Sequence, residues 1–80
     1  MAQLRLFASA REAAGCSREV VPGNTVSEVI SEAIARFGAD FERVLGTCRI
    51  WVNGEVAESD APVNDNDEVA ILPPVSGGDQ

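Results

Sequence analysis

Residues 25–38 read TVSEVISEAIARFG and predict the one long helix of the chain. Thr25 and Glu28 have the spacing of a capping box, which satisfies backbone N–H groups at a helix start. Gly38 is placed to end the helix. Apolar residues recur at alternating steps of three and one, which puts them on one helical face: Val26, Val29, Ile30, Ala33, Ile34 and Phe37. The rest of the chain must supply the surface that covers this stripe.

Short strands are predicted on both sides of the helix. Residues 3–8 alternate in polarity, with Leu4, Leu6 and Ala8 on the core side, and residues 17–21 form a second strand. Residues 9–15 are expected to be a loop or a short helical turn, and residues 41–45 a second, short turn of helix. Residues 48–53 alternate again, and Asn53-Gly54 predicts a hairpin that returns along residues 55–57. A turn at 65–67, whose middle Asn66 can take a positive φ, leads into a last strand at 68–72.

The order strand–strand–helix–strand–strand–strand predicts an α+β fold. One main helix packs on one face of a mixed sheet of four to five strands, as in a ubiquitin-like β-grasp roll. Pro73 and Pro74 have no backbone N–H, so the last strand cannot continue through them. We therefore predict a single β-grasp domain over residues 1–74 and a flexible tail over residues 75–80.

Composition excludes several functions. The 80 residues carry a net charge of −7 and contain no histidine and no lysine. Such a chain does not neutralise phosphates, so nucleic-acid binding is not expected, and the missing histidine removes the commonest general base and metal ligand. No apolar stretch is long enough for a membrane span or a secretion signal. We expect a cytoplasmic protein with reduced thiols and no membrane partner.

Two groups of reactive side chains favour structural roles. Residues 65–68, Asp-Asn-Asp-Glu, have the composition of a metal site, but the remaining ligands of a calcium loop are absent, and no metal is expected. Cys48 falls on the inward side of its strand and is predicted to be a small core residue. Cys16 lies beside a turn with few cations near it, so a persulfide relay through this thiol is not expected.

The C-terminal tail is the first candidate functional site. Gly77 and Gly78 follow the sequence Pro-Pro-Val-Ser at 73–76. Because glycine has no Cβ, such a tail can pass through a narrow channel into the active site of a partner, where a terminal carboxylate could be adenylated. The alternative is an inert frayed end, which has the same composition.

The face of the sheet turned away from the helix is the second candidate. The alternation predicts that four apolar residues and two arginines lie there: Phe7, Trp51, Ala70, Leu72, Arg5 and Arg49. Two large aromatic side chains on one solvent face indicate a docking surface. The alternative is that single exposed apolar residues are scattered there without a function.

Four motifs in order carry a resemblance over nearly the whole chain: Phe7-Ala8-x-x-Arg11-Glu12-x-x-Gly15, Val52-Asn53, Asp65-Asn66-Asp67-Glu68-Val69 and Pro73-Pro74-Val75-Ser76-Gly77-Gly78. In this order they resemble the small subunit of molybdopterin synthase, a sulfur carrier of molybdenum cofactor biosynthesis. The Pro-Pro-Val-Ser-Gly-Gly ending is the most specific of the four. The turn usually reads Asp-Gly-Asp in that family, and asparagine tolerates the same backbone region.

The resemblance implies a β-grasp protein whose Gly78 carboxylate is adenylated and then converted to a thiocarboxylate. Gly77 would keep the approach slim, and the sulfur would pass to cyclic pyranopterin monophosphate. The implied partners are an E1-like adenylating enzyme that uses ATP and a large synthase subunit, in a heterotetramer, that supplies the catalytic residues. This chain would bind no cofactor of its own. The implied partner-binding residues are Phe7, Arg11, Trp51, Leu72, Pro73, Pro74, Val75 and Ser76.

Asp79 and Gln80 depart from that family, which normally stops at Gly-Gly. Gly78 here lies in a peptide bond, so we predict a processing protease that cleaves between Gly78 and Asp79. Other interpretations stay open. The chain could carry sulfur for thiazole, cysteine or tRNA thiolation, be a ubiquitin-like protein modifier, or be an interaction module with an inert tail.

Overall fold

A computed structural model describes residues 1–73. These residues form a five-stranded sheet with the strand order β2-β1-β5-β3-β4. The elements along the chain are β1 (Ala2–Leu6), α1 (Ala8–Ala14), β2 (Arg18–Val21), α2 (Val26–Phe37), α3 (Ala39–Leu45), β3 (Arg49–Val52), β4 (Glu55–Val56) and β5 (Glu68–Leu72).

The sheet is mixed because its two central strands run parallel. β1 pairs with β5 from Gln3 opposite Glu68 to Leu6 opposite Ile71, and every other neighbouring pair is antiparallel. The predicted α+β arrangement with a mixed sheet is confirmed, with five strands. The tail predicted at 75–80, and the domain boundary at 74, lie outside the described residues.

One core holds the helices against the sheet. Its fully buried members come from the inner side of the sheet and from all three helices, and they include Leu4, Leu6, Val29, Phe41 and Ile71. Each large aliphatic or aromatic side chain buried in this way contributes roughly 1.5–3 kcal/mol. The side chains of the opposite face of the sheet stay outside this cluster, and that face is therefore left for other contacts.

The long helix α2 begins and ends where the sequence predicts. The Thr25 hydroxyl accepts a hydrogen bond from the Glu28 backbone N–H at 3.2 Å, and the Glu28 carboxylate accepts one from the Asn24 N–H at 2.8 Å. The first two N–H groups of the helix donate to the carbonyl oxygens of Ala61 and Ser59. Gly38 is the C-terminal cap. All the free donors at this helix start thus have partners.

The segment after β1 differs from the prediction. The strand expected through residue 8 ends at Leu6. Residues 9–15, expected to be a loop or a short helical turn, are most of the seven-residue helix α1 and its C-terminal cap, Gly15. Ala8, predicted to face the core, is exposed at the start of that helix with φ 52°. This left-handed residue turns the chain out of the sheet, and Ala10 is the residue of α1 that is buried instead. The short turn expected at 41–45 is the helix α3.

The turn between β3 and β4 and the turn before β5 lie where the sequence predicts them. Asn53 and Gly54, with φ 51° and 85°, form the predicted hairpin turn between β3 and β4. In the turn before β5, Asn66 does not take the positive φ that was anticipated. The Asp67 N–H donates to the carbonyl oxygen of Asn64 at 3.0 Å, which closes a four-residue turn without a left-handed residue.

None of the helices within residues 1–73 is long and apolar enough to cross a membrane, and α2, with 12 residues, is the longest of them.

Candidate functional site

Alternate strand residues that point away from the helices form one surface, which we call the outer face. The register places Arg18, Arg5, Ala70, Trp51 and Val56 in one row across all five strands. Their strand neighbours are the buried core residues, so this row faces outward. The outer face as a whole consists of Gln3, Arg5, Arg18, Val20, Arg49, Trp51, Val56, Glu68, Ala70 and Leu72.

The centre of the outer face is apolar. Trp51, Ala70 and Leu72 are each half-buried there, and Leu72 pairs with Arg49 on β3. The indole Nε1 of Trp51 is buried and has no hydrogen-bond partner among the described residues. Buried indole N–H groups usually have one, so the centre of this face contains an unsatisfied donor beside an apolar surface.

Phe7 joins this surface although β1 ends before it. Its N–H donates to the carbonyl oxygen of Ile71 at 3.2 Å, which extends the pairing of β1 and β5 by one residue. The Arg5 guanidinium carbon lies 5.7 Å from the centroid of the Phe7 ring, within cation–π range. Arg5 also pairs with Glu68 at 2.9 Å. The Phe7 ring is thereby held beside the outer face.

The charge of the outer face is opposite to that of the chain. The face carries three arginines, Arg5, Arg18 and Arg49, and one carboxylate, that of Glu68, whereas the whole chain has a net charge of −7. Arg5 is paired with Glu68, but Arg18 and Arg49 are exposed and form no ion pair within residues 1–73. Two uncompensated positive charges therefore flank the apolar centre.

The described chain leaves the sheet at this surface, because Leu72 is the last residue of β5 and exposed Pro73 follows it. The structure thus brings together four of the predicted partner-binding residues, Phe7, Trp51, Leu72 and Pro73. Arg11 belongs to a different element and lies exposed on α1. The remaining predicted site residues, Pro74, Val75, Ser76, Gly77, Gly78 and Asp79, lie outside the described residues.

In the acidic turn before β5, the Asp67 carboxylate is engaged in hydrogen bonds within the protein. The Asp67 carboxylate accepts from the Asn64 N–H at 2.8 Å and from the Asn53 side-chain amide at 2.9 Å, and these two bonds hold its pKa below the usual value. The Asn53 side chain also accepts from the Glu68 N–H. Across residues 1–73, three or more His, Cys, Asp or Glu side chains are nowhere grouped so that they could hold a metal ion. The turn joins the β3–β4 hairpin to β5.

Both cysteines are half-buried and free. Cys48 precedes β3 rather than lying within a strand, and it packs against the edge of the core. Burial raises the pKa of the Cys48 thiol, and a hydrogen bond with Thr47 acts in the opposite direction. Cys16, which the sequence places beside a turn, also packs against the core.

Comparison with known proteins decides the family. The profile described as the ThiS family matches residues 4–78, which is nearly the entire chain. The chain belongs to the ThiS family. This match begins within β1 and ends with Gly77-Gly78, and so includes the outer face, except Gln3, together with the candidate tail.

Relatives of this ThiS-family chain are similar over most of their length. The molybdopterin synthase sulfur carrier subunit of Arabidopsis thaliana is 34% identical over an alignment of 76 residues, which covers 91% of this chain and 78% of that protein. A solution structure of small archaeal modifier protein 1 from Methanosarcina acetivorans has a TM-score of 0.86 at 28% identity, covering 96% of this chain and 95% of that one. These similarities confirm the predicted ubiquitin-like β-grasp fold.

A second similar structure is that of a complex. It contains subunits 1 and 2 of the molybdopterin-converting factor from Helicobacter pylori. The matched chain has a TM-score of 0.71 at 26% identity, over 96% of this chain and 97% of that one. In that complex, a chain with a fold similar to this one is bound to a second subunit.

The outer face of this ThiS-family chain includes residues that the sequence analysis did not assign to it. Arg18 and Val20 on β2 were not assigned to either face, although their alternation with Glu19 and Val21 contained the information. Val56, 70% exposed on the short edge strand β4, was also missed. A shallow cleft of about 480 Å³ beside α2, lined by Glu28, Glu32 and Asp65 among others, corresponds to no sequence motif.

Proposed function

We propose that this ThiS-family chain is the sulfur-carrier subunit of a molybdopterin synthase. Its Gly78 carboxylate accepts sulfur as a thiocarboxylate and delivers it to cyclic pyranopterin monophosphate inside the large subunit. The observation that carries the proposal is the family match, which reaches residue 78 and includes Gly77-Gly78. The identity to a molybdopterin synthase sulfur carrier subunit over 91% of this chain supports the pathway.

The activation that we propose takes place on partner enzymes. An E1-like enzyme uses ATP to convert the Gly78 carboxylate to an acyl adenylate, with release of pyrophosphate. Sulfur from a persulfide donor then displaces AMP, and a thiol supplies the two electrons that release the thiocarboxylate. This chain contributes a carboxyl group and a narrow tail, because glycines at 77 and 78 place no side chain between the reacting carbon and the partner.

Asp79 and Gln80 follow Gly78, so the proposal includes a cleavage step. A protease hydrolyses the Gly78–Asp79 peptide bond, and the carboxylate that this exposes is the group to be adenylated. No earlier peptide bond is suitable, because cleavage after Gly77 would remove the residue that receives the sulfur.

The outer face is the surface that we propose for docking on the large subunit. Its apolar centre of Trp51, Ala70 and Leu72 leads along β5 to Pro73, so docking there would direct the following residues into the partner. Half-buried aromatic residues such as Trp51 and Phe7 are the side chains that most often anchor protein interfaces. Arg11, on α1, is a peripheral contact in this proposal. The assembly expected is a heterotetramer with two copies of each subunit.

Intact mass spectrometry on three forms of the chain tests the proposal. The forms are the full sequence, a chain that stops at Gly78, and a chain that stops at Ser76, each incubated with the activating enzyme, ATP and a persulfide donor. We expect the Gly78 form to gain the mass of one sulfur-for-oxygen exchange, the full sequence to do so only after loss of Asp79 and Gln80, and the Ser76 form to stay unchanged.

Failure of the Gly78 form to gain sulfur would refute the carrier role. Sulfur on an untrimmed full sequence would refute the cleavage step alone.

A protein-modifier role is the second candidate function, since the similar structure from Methanosarcina acetivorans is that of a small archaeal modifier protein. In that case Gly78 would form an isopeptide bond with target lysines. This chain has no lysine, so it could not be extended into chains through itself. Recovery of Gly78 attached to lysine side chains of other proteins would favour this role over sulfur transfer.

A further inference from the structure

We propose that the large subunit presents two carboxylate groups to Arg18 and Arg49, one on each side of an apolar patch, and that this pair of contacts guides docking. The inference rests on the proposed function, because it takes the large subunit as the occupant of the outer face. It adds the chemistry by which that partner is recognised.

Positive charge is concentrated on the outer face. The outer face carries three arginines and the single carboxylate of Glu68, on a chain whose net charge is −7. An acidic protein that concentrates its positive charge on one face attracts an acidic partner to that face and repels it elsewhere. The occupant that fits is therefore a protein surface with negative groups around an apolar centre.

Arg18 and Arg49 are available for a partner. Three of the other arginines are engaged at 2.9–3.2 Å, since Arg5 bonds to Glu68, Arg36 to both Glu19 and Glu32, and Arg43 to Asp40. Arg11 also forms no ion pair among residues 1–73, but it lies on α1 and not on the outer face. Arg18 and Arg49 are exposed and form no ion pair among residues 1–73. A guanidinium group that is free in this way can bind a carboxylate with two parallel hydrogen bonds.

The positions of the two arginines are also suitable. Arg18 on β2 and Arg49 on β3 are separated by three strand spacings and by two residues along the strands, which places their Cα atoms about 16 Å apart. Ala70 and Trp51 lie in the row of Arg18, and Leu72 lies opposite Arg49. The two charges therefore fix both the position and the rotation of the partner, whereas the apolar centre alone would allow it to turn.

The test compares association rates of variants that have equal net charge. R18Q/R49Q removes two positive charges from the outer face. R43E changes the net charge by the same amount on α3, where Arg43 is 78% exposed and bonds only to exposed Asp40. Binding to the purified large subunit is followed by stopped-flow fluorescence at about 50 mM and about 500 mM salt, since screening weakens charge attraction over this range. Equal thermal unfolding temperatures verify that each variant is folded.

We expect R18Q/R49Q to lower the association rate constant by about 10-fold at low salt and R43E by less than about 2-fold, with the difference lost at high salt. R18K/R49K, which keeps both charges, should retain most of the wild-type rate. Equal slowing by R18Q/R49Q and R43E, or no slowing by R18Q/R49Q, would overturn the inference while wild-type binding still supports the proposed function. Absence of wild-type binding to the large subunit would overturn both.

Discussion

Gly23 is the position where one added methyl group should disturb this fold most. It has φ +153°, a backbone conformation that L side chains rarely adopt, in the segment between β2 and α2. A Cβ built on Gly23 would lie 2.8 Å from the Cγ2 atom and 2.8 Å from the backbone nitrogen of Val29. Val29 is fully buried, and its N–H donates to the carbonyl oxygen of Thr25 within α2. The clash therefore cannot be relieved by rotation of a surface side chain.

The magnitude follows from two contributions. A strained backbone conformation costs about 1–3 kcal/mol, and forcing extra volume into a packed site costs about 1–3 kcal/mol more. We therefore expect Gly23→Ala to lower the free energy of unfolding by about 2–6 kcal/mol. A domain of this length has a total stability of about 4–12 kcal/mol, so the variant loses a large share of it.

Thermal unfolding followed by far-UV circular dichroism is the assay. One kcal/mol shifts the Tm of a domain of this size by about 4–8 °C, so Gly23→Ala should lower it by at least about 8 °C. Gly54→Ala is the matched control, because Gly54 also has a positive φ of 85° but a Cβ there would have no neighbour within 4 Å. The control should lose about 1 kcal/mol. Equal Tm losses in the two variants would refute the close approach of Gly23 to Val29.

The remaining predictions concern titration, backbone strain and thiol reactivity. Hydrogen bonds from the Asn64 backbone N–H and from a side-chain amide lower the pKa of Asp67. The ionised Asp67 therefore stabilises the fold above its unfolded-state pKa, and this stabilisation is lost as pH falls through its folded-state pKa. The Tm difference between wild type and D67N should shrink on acidification, and a constant difference would contradict this. Ala8→Gly removes a left-handed alanine with φ 52° and should leave stability unchanged or raise it by up to about 1 kcal/mol in urea unfolding; a decrease would mean that the Ala8 methyl group is needed. Burial raises the pKa of Cys48, so in a C16S variant the alkylation rate of Cys48 should rise with pH at a midpoint above that of free cysteine, and an ordinary midpoint would disprove the effect of burial.

The helix and the turns were predictable because their causes are local. The apolar stripe and the capping box of α2 lie within 14 consecutive positions, 25–38, and Asn53-Gly54 specifies its hairpin without help from distant residues. By contrast, α1 has only seven residues and no side-chain cap, and its first residue, Ala8, is held in a left-handed conformation. Packing of this helix against α3 and the central strands compensates for its weak local preference, and packing of that kind is not visible in the sequence of residues 8–14.

The candidate site also has one part that was predictable from local sequence and one part that was not. Alternation within β1, β3 and β5 was enough to place Arg5, Trp51 and Leu72 on one face. Which arginines remain without a carboxylate could not be predicted, because Arg36 reaches Glu19 across 17 positions of the chain. The parallel pairing of β1 with β5 has no local pattern either, since the two strands lie at opposite ends of the described chain.

That parallel pairing also determines at what point during synthesis the domain can fold. β5 lies between β1 and β3 and contributes Val69 and Ile71 to the core, so a nascent chain that has not yet reached this strand holds only two unconnected strand pairs. The segment that must be closed to join Gln3 with Glu68 is almost the whole described chain, and folding waits for it. A partner that recognises the folded outer face therefore binds only chains in which β5 is already in place.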